Sequence, residues 1–155
     1  MSRKVLFICT GNYYRSRFAE IYFNHQAMSK GLNWRASSCG CEVFKYQNEG
    51  PISTAVLAEL ERLSIPLPPM RYPMQVCESI LEQADMIIAL KEAEHRAALA
   101  RDFPQYEKNV VYWHVHDLDC ATVEQALADI RRLVDELIRD LRSGDKWKFE
   151  FSGCS

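Results

Sequence analysis

A cysteine, an arginine and a serine stand in one short segment at a spacing that suits phosphoryl transfer. Residues 9–16 read CTGNYYRS and follow an apolar run at residues 4–8. A cysteine alone at the end of an apolar strand is commonly a small buried hydrophobic residue. The full pattern, in which a glycine and an asparagine separate Cys9 from Arg15, favours a nucleophile at Cys9.

A loop of this composition can bind an anion through its backbone. Successive N–H groups that precede a helix N-terminus converge on an oxyanion, and the same field lowers the pKa of a thiol below its free value of about 8.5. Arg15 can hold two oxygens in fork geometry, and Ser16 can form a hydrogen bond with the sulfur. Gly11 permits close backbone approach, and Asn12 tolerates a left-handed conformation. The predicted phosphate-binding residues are Thr10, Gly11, Asn12, Tyr13, Tyr14, Arg15 and Ser16.

The segment does not fit a nucleotide-binding loop of the Walker type, because no Gly-Lys-Ser/Thr follows Gly11. A thiolate that attacks phosphorus also needs a proton donor for the leaving group. We therefore expect an aspartate or glutamate on another loop at the same edge of the sheet.

The elements that must position this loop alternate along the chain. Apolar runs predict strands at residues 4–8, 34–38, 86–90 and 109–113. Helices are predicted at residues 15–30, 52–63, 77–83, 92–100 and 122–141, the last beginning with a capping box of Thr122 and Gln125. The alternation indicates an α/β fold with a parallel sheet, and ligands in such sheets bind beyond the carboxyl ends of the strands. The predicted domain covers residues 1–144, and residues 145–155 form a tail of unknown role.

Composition and charge argue against several classes of partner and cofactor. The 155 residues carry a net charge of about -2, so neither nucleic acid nor a membrane surface is an expected partner. No apolar run is long enough for a signal peptide or a membrane span, and a cytoplasmic location is expected. The six cysteines are expected to be reduced, and their spacing does not indicate a zinc site.

Residues 5–16 (VLFICTGNYYRS) resemble the opening of low-molecular-weight protein tyrosine phosphatases and the related thioredoxin-coupled arsenate reductases. The similarity extends to about residue 142. Further matching segments are SSCG at 37–40, GPISTA at 50–55, QADMIIAL at 83–90 and YWHVHDL at 112–118.

The resemblance implies a single-domain three-layer sandwich, in which a four-stranded parallel sheet carries helices on both faces. It also implies a two-step reaction on a phosphorylated protein or a small aryl phosphate, without a metal or cofactor. Cys9 would form a phosphocysteine, Arg15 would bind the equatorial oxygens, and Asp117 would protonate the leaving group and later activate water. Asn12, Ser16 and Ser38 would shape the loop, which could also bind inorganic phosphate or another oxyanion.

The sequence departs from the family pattern at three places. Asp117 is followed by leucine instead of proline, which leaves Asp119 as an alternative general acid. Tyr14 occupies the position of a second, regulatory cysteine. Met70 or Arg71 occupies the position of a histidine that supports the loop asparagine in many members.

Aromatic and histidine side chains are candidates for the walls of the cleft. Either Tyr13 lines or narrows the mouth of the cleft, or both Tyr13 and Tyr14 pack against neighbouring elements. The other candidate wall residues are Phe44, Tyr46, His114 and His116.

Three functions remain open from the sequence. The first is a cysteine-dependent phosphomonoester hydrolase, in particular a protein tyrosine phosphatase. The second is an arsenate reductase with Cys39, Cys41 or Cys120 as resolving thiols. The third is a weakly active oxyanion-binding module.

Overall fold

Four short strands form a parallel sheet at the centre of the fold. The computed structural model describes residues 2–116 and 122–144. The strands are β1 (Arg3–Cys9), β2 (Trp34–Gly40), β3 (Met86–Ala89) and β4 (Val110–Tyr112). The helices are α1 (Arg15–Ser29), α2 (Thr54–Arg62), α3 (Glu78–Gln83), α4 (Glu92–Asp102) and α5 (Val123–Ser143). The predicted order of elements is confirmed, with bounds that differ by a few residues.

The strand order is β2-β1-β3-β4, and every pairing in it is parallel. The chain therefore leaves β1 toward one edge of the sheet and later returns to β3 on the other side of β1. Loops that follow β1 and β3 diverge at this point, which opens a crevice at the carboxyl ends of the two strands. Cys9 is the last residue of β1 and lies at this crevice.

Helices cover both faces of the sheet, so the core has two parts. Alternate residues of β1 divide between them: Val5, Phe7 and Cys9 pack with α1, α2 and α5, whereas Leu6 and Ile8 pack with α3 and α4. Burial of apolar area on both faces, worth about 25 cal/mol per Å², holds the sheet between the helices.

The longest helix, α5, begins and ends as the sequence predicts. The Thr122 hydroxyl accepts a hydrogen bond from the Gln125 N–H, and the Gln125 side chain completes the capping box. Gly144 ends the helix in the left-handed conformation, with φ of 73°. Across the described residues, we found no helix that combines the length and the apolar character needed to span a bilayer.

Candidate active site

Residues 9–16 lead from the end of β1 into the first turn of α1 and are called the nucleophile loop, after the role predicted for Cys9. Cys9 is only 2% exposed, and its Sγ lies 3.0 Å from the Ser16 hydroxyl oxygen. Asn12 is fully buried and has a φ of 52°, in the left-handed region that the sequence analysis expected it to tolerate. Because α1 begins at Arg15, the positive end of its helix dipole lies at the loop, and the first turn carries no acidic residue that would offset this charge.

The Asn12 side chain fixes the shape of this loop through four hydrogen bonds. Its Nδ2 donates to the hydroxyl of Ser16 at 2.8 Å and to that of Ser38 at 2.9 Å. Its Oδ1 accepts from the Met74 N–H and from Arg71, both at 3.0 Å. The structure therefore brings together Asn12, Ser16 and Ser38, the three residues that the sequence analysis assigned to loop support.

Arg71 occupies the position beside Asn12 for which the sequence left Met70 as an alternative. Besides Asn12, its guanidinium donates to the Ser38 carbonyl at 3.0 Å, the Ser38 hydroxyl at 2.9 Å and the Glu20 carboxylate at 3.0 Å. The loop asparagine is thus supported by a permanently charged group that is itself neutralised by Glu20.

The Arg15 guanidinium is held by a carboxylate that the sequence analysis did not identify. Its two terminal nitrogens donate to Glu94, at 2.9 Å and 3.3 Å, and one of them also donates to the Val115 carbonyl at 3.1 Å. Arg15 is 2% exposed, so this fork of charge-assisted bonds lies in a partly desolvated setting. Glu94 belongs to the first turn of α4, directly after β3, and its place at the carboxyl edge of the sheet is the signal that could have identified it.

A second set of contacts orients Glu94. Its carboxylate accepts a hydrogen bond from the Thr10 hydroxyl, and His95 Nε2 lies 3.3 Å from it and 3.1 Å from the Thr10 oxygen. His95 Nδ1 accepts from the Lys91 N–H, which places the ring proton on Nε2. Burial by itself would raise the pKa of the Glu94 carboxyl, but bonds from His95, Arg15 and Thr10 outweigh it and hold the pKa well below its usual range.

Arg17 ties the nucleophile loop to two neighbouring loops. It is 3% exposed and donates to the backbone carbonyls of Pro51 at 2.8 Å, Arg71 at 3.0 Å and Asn12 at 3.4 Å. Burial, followed by repulsion from Arg71, lowers the pKa of Arg17, while Glu20 opposes the shift. The sequence analysis assigned this residue no function.

A close approach between two backbone segments occurs at Gly40, the last residue of β2. A Cβ on Gly40 would lie 2.6 Å from the Thr10 carbonyl oxygen and 3.0 Å from the Asn12 nitrogen. A Cβ on Gly11 would meet only the side chains of Tyr46 and Asn48, both at an ordinary 3.7 Å. The end of β2 can therefore lie against the nucleophile loop only because residue 40 has no side chain.

The two adjacent tyrosines lie in different surroundings. Tyr14 is 8% exposed and packs in the core with α1. Tyr13 is half-buried and its hydroxyl donates to the Glu49 carbonyl at 2.5 Å. Phe44 and Tyr46, in the segment after β2, expose 88% and 46% of their surface, and the ring of Tyr46 lies beside Gly11.

The remaining sequence candidates among the described residues are two histidines and two cysteines. His114 and His116 are exposed, and His114 lies 4.0 Å from Glu92. Cys41 is a backbone neighbour of Cys9, because its N–H donates to the Cys9 carbonyl at 2.9 Å, but the side chains of Cys39 and Cys41 pack in the part of the core on the opposite face of the sheet. Burial, followed by the neighbouring Cys9, raises the pKa of both thiols, that of Cys41 to about 12. Asp117, Asp119 and Cys120 lie outside the described residues, as does the predicted tail.

This arrangement combines a buried thiol, a hydroxyl in contact with it, backbone donors at a helix N-terminus and a fixed guanidinium. Such groups can bind a tetrahedral oxyanion and place a nucleophile beside it. In the part of the chain that the structure describes, no three histidine, cysteine, aspartate or glutamate side chains gather closely enough to hold a metal ion.

Comparison with known proteins agrees with this geometry. The family model described as low molecular weight phosphotyrosine protein phosphatase matches residues 4–141. A protein-arginine-phosphatase of Bacillus subtilis (strain 168) is 34% identical over 106 residues, which cover 68% of this chain and 67% of that protein.

Solved structures are similar along nearly the whole chain. A low molecular weight protein tyrosine phosphatase from T. tengcongensis superposes with a TM-score of 0.76 at 26% identity, covering 90% of this chain and 99% of the other. YfkJ from Bacillus subtilis gives a TM-score of 0.81 at 25% identity, covering 94% of this chain and 98% of the other.

Proposed function

Because this chain belongs to the low molecular weight phosphotyrosine protein phosphatase family and is a hydrolase of that family, we propose that it dephosphorylates protein tyrosine residues through a phosphocysteine at Cys9. The observation that carries the proposal is the 3.0 Å contact between Cys9 Sγ and the Ser16 hydroxyl inside the phosphate-binding loop. A serine proton shared with the sulfur stabilises the thiolate, both before it attacks and when it leaves.

In the first step the Cys9 thiolate attacks phosphorus, an S–P bond forms and the bond to the tyrosine oxygen breaks. Asp117 gives its proton to the departing phenoxide. Arg15 and the N–H groups of the loop bind the three equatorial oxygens as charge develops on them. Glu94 and Val115 hold the Arg15 guanidinium, so that it needs little reorientation when the phosphate arrives.

In the second step water attacks the phosphocysteine and Asp117 accepts a proton from it. The S–P bond breaks, inorganic phosphate leaves and the thiolate at Cys9 is regenerated. Asn12 preserves the loop through both steps by its bonds to Ser16 and Ser38. The proposed reaction contains no redox step, and the side chains of Cys39 and Cys41 pack on the other face of the sheet from that of Cys9.

Aromatic side chains in the segment after β2 favour an aryl substrate. Tyr46 lies close to Gly11, Phe44 is almost fully exposed nearby in the chain, and both can pack on a phenyl ring. The proposed substrates are a phosphorylated protein or a small aryl phosphate, in a cytoplasmic setting.

A second candidate is hydrolysis of phosphoarginine in proteins, and the observation that favours it is the 34% identity to a protein-arginine-phosphatase. The same nucleophile and phosphate-binding loop serve a P–N bond, and the leaving guanidine also accepts a proton. The two candidate functions differ in the leaving group that the site must accept, which is a phenol in one case and a guanidine in the other.

The deciding experiment is hydrolysis of p-nitrophenyl phosphate between about pH 4.5 and 8. We expect turnover by the unmodified protein, none by Cys9→Ser, and a loss of about 10²-fold or more in Asp117→Asn. Asp119→Asn is the matched control and should retain most of the activity. If the folded, reduced protein leaves this substrate intact, the phosphatase proposal is wrong.

Phosphotyrosine and phosphoarginine peptides of the same sequence then distinguish the two candidates. A higher kcat/KM on the phosphotyrosine peptide supports the first proposal. A preference for the phosphoarginine peptide would replace it with the second.

A further inference from the structure

A basic pocket lies on the face of the sheet opposite α1 and α5, outside the catalytic loop. Its volume is about 300 Å³, and it lies over the first halves of β1 and β2, where α3 leaves the sheet uncovered. Lys4, Arg35 and Arg71 line it together with Ser37, while Met74 and Ile80 supply apolar walls. This size suits one small molecule.

Two of these cations are neighbours in the sheet. Lys4 and Arg35 are register partners of β1 and β2, so their side chains leave the same face. Adjacent like charges in a sheet repel and cost stability. Among the residues that the structure describes, no carboxylate lies within ion-pair distance of the Lys4 ammonium or the Arg35 guanidinium.

The carboxylates near the pocket have other partners. Glu20 is paired with Arg71 at 3.0 Å, and the Asp85 carboxylate accepts a hydrogen bond from the backbone N–H of Lys4 at 2.7 Å. The pocket therefore combines two cations without a protein counter-ion and a third cation at its edge.

We propose that this pocket binds a small anion that carries a phosphate group. Lys4 and Arg35 supply the charge, the Ser37 hydroxyl supplies a neutral donor, and the apolar walls accommodate a compact organic body. An anion between Lys4 and Arg35 would also remove the repulsion between them, so that part of its binding free energy comes from relief of an unfavourable contact already present in the fold.

The pocket is coupled to the catalytic loop through one side chain. Arg71 lines the pocket and also donates to Asn12 Oδ1, which belongs to the nucleophile loop. An anion that attracts the Arg71 guanidinium weakens its bond to Asn12 and so loosens the shape of the loop. Occupancy of the pocket should therefore reduce turnover without competing with substrate.

The binding test follows backbone amide resonances during titration with inorganic phosphate. Amides of Arg35, Ser37 and Ala84 report the pocket, whereas those of Gly11 and Asn12 report the catalytic loop. We expect two saturable curves with different midpoints. Arg35→Gln should raise the pocket Kd by about fivefold or more, as expected for loss of one charge-assisted hydrogen bond, and leave the loop Kd unchanged.

Arg139→Gln is the matched control, because it removes the same charge from an exposed position on α5, on the other face of the sheet. If Arg35→Gln and Arg139→Gln raise the pocket Kd equally, the effect reflects only the net charge of the protein, and the proposal is wrong. Pocket amides that do not move, or that follow the midpoint of the loop amides, would overturn it as well. Neither readout requires catalytic activity, so the outcome is independent of the proposed function.

Two further arms identify the ligand and the coupling. The first arm titrates butyl phosphate into the Cys9→Ser protein and follows the pocket amides. A lower Kd for butyl phosphate than for inorganic phosphate indicates a ligand with an organic body. A higher Kd indicates a site for free phosphate. In the unmodified protein, inhibition of aryl phosphate hydrolysis by inorganic phosphate should contain a noncompetitive component that Arg35→Gln removes. Purely competitive inhibition would refute the coupling through Arg71.

Discussion

The Arg71 guanidinium lies 3.0 Å from the side-chain oxygen of Asn12, 59 residues away in the chain. The same guanidinium contacts the carbonyl and the hydroxyl of Ser38 and the carboxylate of Glu20. One side chain from the segment after α2 therefore connects the nucleophile loop, β2 and α1. Since Asn12 is held in a left-handed conformation, this connection stabilises the loop shape that the proposed phosphate binding requires.

Replacement of Arg71 by methionine should impair both the fold and the reaction. It leaves the Glu20 carboxylate without its cation and removes one of two donors to Asn12 Oδ1, so a loss of about 1–3 kcal/mol in the free energy of unfolding is expected. We expect kcat to fall by about tenfold or more as the loop loses its fixed geometry. Urea unfolding and steady-state kinetics measure the two effects.

Arg62→Met is the matched control for this variant, because Arg62 forms an exposed ion pair with Glu59 on α2. Arg62→Met should lower stability much less than Arg71→Met does, because an exposed ion pair is screened by solvent, and it should leave kcat unchanged. Comparable losses in the two variants would show that the contacts of Arg71 have no special function.

Glu94→Gln should slow the reaction by releasing Arg15. The amide keeps the size of the side chain but replaces charge-assisted bonds to the guanidinium with weaker ones. A loss of about 1–2 kcal/mol in transition-state stabilisation corresponds to roughly 5- to 30-fold in kcat/KM.

The control for this substitution is Glu92→Gln, two residues earlier in α4, where the carboxylate pairs with exposed Arg96. It should alter kcat/KM by less than about twofold. If Glu94→Gln retains full activity, the carboxylate does not position Arg15 for the reaction.

The Glu94 carboxylate should also make stability depend on pH in the acidic range. Its pKa is depressed in the folded protein, so ionised Glu94 stabilises the fold above the unfolded pKa of about 4.3, and this contribution is lost as the pH falls below that value. The difference in Tm between the unmodified protein and Glu94→Gln should be constant from about pH 5 to 7 and shrink toward about pH 3. A Tm difference that does not change with pH would contradict the stabilising function of the ionised Glu94 carboxylate.

Gly40→Ala should disrupt the nucleophile loop although it lies on another strand. The added methyl group overlaps the Thr10 carbonyl oxygen at 2.6 Å and the Val43 side chain at 2.8 Å, so the backbone of the loop must shift. We expect a loss of about 1–3 kcal/mol in stability and weaker inhibition by inorganic phosphate. Gly11→Ala, whose methyl group has ordinary contacts, should preserve stability and is the control for the stability measurement alone.

The sequence predicts well those features that local patterns determine. The apolar runs and the helical periodicity give the order of all nine strands and helices that carry the described fold, and Thr122 with Gln125 predicts the start of α5. The loop at residues 9–16 is predicted for the same reason, because its nucleophile, its left-handed asparagine and its arginine are close in the chain.

The features that the sequence does not reveal depend on distant contacts. Glu94 is separated from Arg15 by 79 residues, and in the predicted helix it reads as one more solvated acid. His95 in the same turn is fully buried, although the pattern of α4 shows no clear apolar face at that position. Gly40 likewise becomes necessary only when β2 and the nucleophile loop are placed side by side.

The three carbonyl contacts of Arg17 have a consequence for the thermodynamics of binding. Because Arg17 joins the backbones at Asn12, Pro51 and Arg71, the segments around the site lose their conformational entropy when the chain folds, before any ligand arrives. Ligand association then carries little further ordering cost, so we expect fast, nearly rigid-body capture of small aryl phosphates. The heat-capacity change on phosphate binding should accordingly be small, since little additional surface is buried by rearrangement.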